Sequence, residues 1–239
     1  MNENVLRVNG LHKGYRKQPV LQGLDFELAP GKVTVLLGAN GSGKSTFFKL
    51  ALGLLLPEKG TISVLGFDPR RQARQLRQQV GFVPSIPDAY EWMTVEDLFR
   101  LLEPQYPTWD RQEADRLCEE LSVPRKRSFK KMSRGEGMKA MLAAALVPNP
   151  DLLLLDEPFG GLDPMARDEV LERIISETRI GERSLLCATH DLEIASRIAD
   201  RVAILKDGRI ADHGAVSDVL GKEAMKPRDL QAAMAGKSR

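Results

Sequence analysis

Cysteine is nearly absent, with Cys118 and Cys187 as the only two in 239 residues, far apart and without a CxxC partner. A disulfide framework needs more of them, and two such thiols cannot build a zinc cluster by themselves, so a reducing cytosol is the expected compartment. Long apolar runs are also missing. The longest informative one is Leu152–Leu155, whereas a helix that crosses a bilayer needs roughly 20 apolar residues. The chain is therefore expected to work outside the lipid. Its opening stretch, MNENVLRVNGLHKGY, lacks a basic start followed by an apolar block, which argues against export. Charge of one sign is lacking too. Lys plus Arg number 35 against 33 Asp plus Glu, and a formal net charge of +2 provides no broad basic field for nucleic acid. There is no internal repeat, low-complexity tract, long coiled coil or zinc insert.

The length allows one large core, or one domain with an inserted lobe. Val5–Val8 and the alternating Gly23–Leu28 read as β-structure, and Val33–Leu37 is a nearly continuous apolar run that suits the middle of a parallel sheet. Gly38–Gly43 breaks the pattern, and helical spacing resumes over Ser45–Ala51. Short strands are expected at Thr61–Val64 and Val80–Val83. Pro84, Pro87, Pro104 and Pro107 then mark a change of organisation. Helical periodicity over 95–102, 111–121 and 134–146 points to an inserted helical lobe at 86–149. Strands return at Leu152–Leu155, Ser184–Ala188 and Val202–Leu205, separated by helices near 164–179 and 191–198. The expected fold class is α/β. It has a parallel-sheet core of the phosphate-loop NTPase type over 1–85 and 150–214, an antiparallel β portion near the N-terminus, the helical lobe, and a tail over 215–239 that frays at its end.

Gly38-Ala39-Asn40-Gly41-Ser42-Gly43-Lys44-Ser45-Thr46 matches GxxxxGK[ST] and sits after an apolar strand and before a helix, as that motif requires. Glycines let successive backbone N–H groups point at one anion, and the helix N-terminus adds its positive dipole end. Lys44 reaches the outer phosphates and Ser45 is suited to Mg²⁺. Leu152–Leu155 then delivers Asp156 and Glu157 at the end of a buried strand, where open α/β sheets bind ligands. Asp156 is the expected Mg²⁺ holder and Glu157 the general base that polarises an attacking water. A solvated loop start is the plainer reading of Asp156-Glu157-Pro158.

With these motifs the chain resembles the ABC ATPase (ATP-binding cassette) family over nearly its whole length. The resemblance rests on five motifs in the family's order: the phosphate loop, Met132-Ser133-Arg134-Gly135-Glu136, Leu155-Asp156-Glu157-Pro158, Gly161-Leu162-Asp163 and Thr189-His190-Asp191. It implies an ATP hydrolase in which two protomers sandwich two ATP molecules. Ser133 and Gly135 of the signature loop would bind the γ-phosphate of ATP held by the other protomer. The same residues read independently as a capping box at a helix start. His190 resembles the switch histidine at the γ-phosphate, and Tyr15 resembles the aromatic that stacks on adenine, although core packing would use a tyrosine equally well. Asp163 resembles the aspartate that contacts the opposite protomer, or else it caps the helix that begins at Pro164.

The chain departs from the usual LSGGQ signature at Met132, Arg134 and Glu136. Ser85 takes the place of the usual Mg²⁺-ligating glutamine, so its contact with the metal is expected to need a bridging water. The function implied is an ATPase subunit, homodimeric or heterodimeric, peripheral on the inner face of the cell membrane and driving a separate permease. Tyr106-Pro107-Thr108-Trp109-Asp110 is similar to the exporter-like, single-cassette group. A soluble ABC ATPase and a slow regulatory ATP switch are the alternatives, the latter favoured by Ser85 and Arg134. Tyr90, Trp92 and Met93 form the expected docking surface for a permease helix, unless they are lobe core.

Overall fold

A computed structural model describes residues 4–16, 18–180 and 183–220. In chain order the elements begin with β1 (Leu6–Tyr15), β2 (Gln18–Leu28), β3 (Val33–Leu37), α1 (Lys44–Ala51), β4 (Lys59–Val64), α2 (Ala73–Arg77) and β5 (Val80–Val83). They continue with α3 (Val95–Leu102), α4 (Arg111–Glu120), α5 (Arg134–Leu146), β6 (Leu152–Asp156) and α6 (Pro164–Ile180). The chain closes with β7 (Ser184–Thr189), α7 (Leu192–Ile198), β8 (Arg201–Lys206), β9 (Arg209–Ala215) and α8 (Val216–Val219). The fold is the mixed α/β arrangement expected, with parallel strands and an antiparallel N-terminal portion. The described residues divide into two compact units, one over 4–76 with 184–220 and the other within 77–183.

In the first unit β1 lies between β2 and β4, antiparallel to both, with Leu6 opposite Leu28 on one side and Val64 on the other. Leu6, Val8, Leu24, Phe26 and Leu28 are buried, the period of two that a one-sided strand requires. By contrast β3 is buried at all five positions and pairs in parallel with β7 and β8. A strand hidden on both faces is what its unbroken apolar run encodes. Asp191 starts α7 by accepting from the Glu193 and Ile194 N–H groups. The strand β9, antiparallel to β8, was not expected from the sequence. Most of its side chains are exposed, so it carries no apolar alternation. Its signal is the dipeptide Asp207-Gly208, both residues having positive φ (48° and 73°), the backbone of a tight hairpin turn. Residues 216–219 form α8, and the remainder of the expected tail, 221–239, lies outside the described residues.

In the second unit β5 and β6 are parallel, pairing Val80 with Leu152 and Val83 with Leu155. The helices α3, α4 and α5 lie where their periodicity predicts them. Thr94 and Asp97 form a capping box at α3, and the hydrogen bonds from Thr94 hold the Asp97 carboxyl below the usual carboxylate range. Asp110 caps α4. The Tyr106–Asp110 stretch has a structural function: Trp109 meets Phe99 edge-on at 5.3 Å and the Thr108 hydroxyl donates to Pro148 O at 2.6 Å. The alanine-rich α5 packs on β5 so closely that a Cβ on Gly81 would stand 2.6 Å from Ala145 O. Lys139, 8% exposed, crosses from α5 to Glu169 of α6 at 2.6 Å. Farther along α6, Arg173 bridges Glu120 and Glu177, and Glu177 in turn holds Arg183, which donates to Pro150 O and Asn149 Oδ1. Burial pushes the Cys118 thiol up to about 11, which leaves it unreactive.

Leu154 of β6 is fully buried, whereas Leu101 of α3 is 53% exposed. Leu154→Ala should therefore lower the unfolding free energy measured in urea by about 3 kcal/mol. Leu101→Ala should change it by less than about 0.5 kcal/mol.

Candidate functional site

The candidate site residues of the first unit gather where β3 and β7 end. Leu37 is in register with Thr189, and the Gly38 N–H donates to Thr189 O at 3.3 Å. The phosphate loop thus starts beside the strand end that His190 continues. His190 is exposed, and Asp191 beside it donates its N–H to Thr189 Oγ1 before capping α7. Strand ends on this edge are where α/β sheets hold ligands.

The loop itself is a cradle that side chains would fill. A Cβ on Gly38 would lie 2.6 Å from Ser42 Oγ and 2.9 Å from Leu205 O. Gly41 has φ 81°, and Gly43, with φ 109°, would press a Cβ to 2.9 Å from Leu21 Cδ2. Gly43 starts α1 and brings no side chain to cap it, the kind of helix end that an anion satisfies. Lys44 is 5% exposed, and its Nζ donates to Gly38 O at 2.7 Å and Ala39 O at 3.1 Å, which holds the ammonium over the loop. Asn40 and Ser45 are exposed and Thr46 is half-buried. Tyr15, 44% exposed at the end of β1, has its hydroxyl 3.5 Å from Thr46 Oγ1. Its ring therefore stands next to the loop with part of its surface available for stacking. These features fit a phosphorylated ligand: backbone donors, one desolvated cation and a helix start converge on a single cradle.

The second unit brings the remaining site residues together around α5, α6 and the end of β6. Asp156 ends β6 and is 4% exposed. Glu157 follows with φ 51°, left-handed backbone that costs a non-glycine residue about 1–2 kcal/mol and persists where the surroundings over-determine it. The turn closes when the Gly160 N–H donates to Glu157 O at 3.1 Å. Asp163 caps α6, its Oδ1 accepting from the Ala166 N–H at 3.0 Å. Ser133 and Glu136 form the expected capping box of α5: Ser133 Oγ accepts from the Glu136 N–H at 3.1 Å and Glu136 Oε2 from the Ser133 N–H at 2.8 Å. That backbone hydrogen bond, helped by Arg127, holds the Glu136 carboxyl below the usual carboxylate range.

Gly135 sits where these pieces meet. A Cβ there would be 2.8 Å from Ala166 Cβ, with Asp163 Oδ2 and Ser133 Oγ each 3.9 Å away. Ser85 is half-buried, and its carbonyl accepts from Arg134 Nη2 at 3.2 Å. In the sequence Arg134 registers as a departure from a pattern, and with Ser85 as a mark favouring a slow switch, not as a contact. No local signal foretells its reach to Ser85, because 49 positions separate them.

Comparison with known proteins points to a family. The family model described as ABC transporter matches residues 21–160. The chain is similar to the ABC-type transporter ATP-binding protein EcsA of Bacillus subtilis, 33% identical over 95% of this chain and 94% of that protein. It is also similar to the nickel import ATP-binding protein NikO of Rhodobacter capsulatus, 35% identical over 92% and 93%. Among solved structures, an ATP-binding subunit of an ABC transporter superposes with a TM-score of 0.83 at 32% identity, over 97% of this chain and 99% of that one.

If the phosphate cradle is as described, Lys44→Ala removes its one desolvated cation. ATP affinity, measured by titration with a fluorescent ATP analogue, should fall at least about tenfold, the loss of one charge-assisted hydrogen bond or more. An unchanged affinity would remove Lys44 from the site.

Proposed function

From the premise that the chain belongs to the ABC transporter family, and is an ATP-binding, ATP-hydrolysing subunit, we propose that two copies close around two ATP molecules and drive a separate permease. The observation that carries this reading is the glycine cradle over which Lys44 is held by the Gly38 and Ala39 carbonyls. In the proposal Lys44 and the amides of Gly38 to Thr46 take the phosphates, and Tyr15 stacks on the base. Ser133 and Gly135 of one copy meet the γ-phosphate of ATP held by the other. Their position at the start of α5, with Asp163 beside them, supports an anion site completed between protomers. ATP then acts as interface glue, and its hydrolysis reopens the pair.

Glu157 is the proposed general base. Its carboxylate takes a proton from water as the oxygen attacks the γ-phosphorus, the bond from that phosphorus to the β,γ-bridging oxygen breaks and ADP leaves, and His190 helps to orient the water. Ser45, Asp156 and Ser85 offer hydroxyl and carboxylate oxygens, the hard set that would suit Mg²⁺; Ser45 and Asp156 would hold the ion and Ser85 would take part through a water. When bound, the ion neutralises charge on the phosphates.

No helix among the described residues is long and apolar enough to cross a membrane, so the proposed work at the inner face needs a partner within the bilayer. Names such as nickel import ATP-binding protein, borne by the Rhodobacter relative, support such a partner. The expected docking cluster divides: Met93 is buried, while Tyr90 and Trp92 are 68% and 70% exposed and stack at 5.8 Å. This exposed aromatic pair is suited to a permease helix.

Glu157→Gln tests the hydrolytic reading. The amide keeps the shape but cannot take the proton, so steady-state ATPase should fall by at least about a hundredfold while ATP affinity stays within about twofold. Hydrolysis at the parent rate would exclude Glu157 as the base.

A further inference from the structure

Arg134 is the first residue of α5, where the signature pattern has glycine. Its guanidinium does two things at once. Nη2 donates to Ser85 O at 3.2 Å, and the planar group lies against the turn that follows Glu157. A Cβ added to Gly161 would be 3.0 Å from both Cζ and Nη1 and 3.2 Å from Nε, and one on Gly160 would be 3.5 Å from Nη2. A side chain at 161 would press on the guanidinium, and Gly161, at φ 70°, leaves it room to lie flat.

The turn beneath it belongs to Glu157. The Gly160 N–H donates to Glu157 O, and Glu157 holds a left-handed φ of 51° that needs its neighbours to keep it there. The anchor is equally well placed. Ser85 and Glu157 each follow by two residues a register pair of adjacent parallel strands, Val83 with Leu155. Arg134 thus spans two neighbouring strand ends, tied to one by a hydrogen bond and packed on the turn of the other. Lysine has no counterpart to this arrangement. An ammonium reaches the Ser85 carbonyl as a point donor but presents no flat face to a glycine pair.

We infer that Arg134 is a positioning residue for hydrolysis: by clasping the Ser85 carbonyl and the Gly160-Gly161 turn together, it holds Glu157 where it acts on water. This rests on the reading of Glu157 as the base. A residue working through another in this way alters turnover more than nucleotide binding.

Steady-state ATPase kinetics on the full chain, with thermal melts as the folding check, decide the matter. Arg134→Ala should lower kcat about tenfold with KM for ATP within about twofold, and its Tm should stay within about 3 °C of the parent, as a surface change permits. Arg134→Lys should recover only part of the loss. Gly161→Ala presses its Cβ on the guanidinium and should lower kcat, and adding it to Arg134→Ala should cost less than it does alone, only the strain of alanine at φ 70° then remaining.

Parent kcat in Arg134→Ala, full recovery by lysine, or independent multiplication of the two effects would overturn the proposal. So would a raised KM with kcat kept, which would make Arg134 a nucleotide contact instead. If Arg134→Ala does not fold, the lysine and Gly161→Ala variants carry the same comparison against the parent. Glu157→Gln separates the two readings: with hydrolysis lost there and normal in Arg134→Ala, only the role of Arg134 fails, whereas hydrolysis retained in Glu157→Gln removes the base itself.

Discussion

A polyphosphate held mainly by backbone amides requires a chain that curls where side chains would collide, and much of the first unit follows from that requirement. Gly38, Gly41 and Gly43 supply the curl, and at Gly38 and Gly43 the space for a Cβ is already taken by Ser42, Leu205 and Leu21. The curl must also be held rigidly to be worth anything electrostatically, and buried β3, in parallel register with β7 and β8, provides the fixed base. Lys44 is desolvated at low cost because two loop carbonyls receive its ammonium. One glycine-rich segment thereby joins a hydrophobic strand to a helix end, and the phosphate site is the junction.

The second unit solves a different problem, that of aiming side chains. It does so with groups that stabilise helices as well. Ser133 caps α5 and Asp163 caps α6, and both converge on the Gly135 position, which lacks the atom that would keep α5 and α6 apart. Capping is compatible with the proposed ligand contact because both address the positive end of a helix. Glu157 is the exception. Its backbone stands in a disfavoured region, so its placement is not a by-product of regular structure and must be held by contacts around it.

Where chemistry is local, the sequence was legible. The phosphate loop, the apolar strand ending in Asp156 and Glu157, and the Ser133–Glu136 capping box are each contained within nine residues or fewer, and the fold positions them as their spacing predicts. Legibility failed where side chains meet across long separations or where exposure erases periodicity. Arg134 and Ser85 are 49 positions apart, and neither residue type announces the contact. Exposed β9 leaves no apolar alternation, and only Asp207-Gly208 marks it. Tyr90, Trp92 and Met93 look alike as a cluster, yet Met93 turns into the core and the other two do not. The Tyr106–Asp110 stretch, read as a mark of one subgroup, is used to close the lobe through Trp109 and Thr108.

In the proposed arrangement one chain supplies only part of each ATP site and a second copy completes it. Mixing two defective forms tests this directly, because Lys44→Ala disables the phosphate loop and Ser133→Ala disables the signature contact offered to the partner. In a mixed dimer both defects fall on the same composite site, leaving the other site with an intact Lys44 and an intact Ser133. ATPase activity, low in either form alone, should therefore recover on mixing. Activity that stays at the level of the separate variants at every mixing ratio, with mixed dimers demonstrated by differential tagging, would mean that each site is built within one chain and would contradict the account.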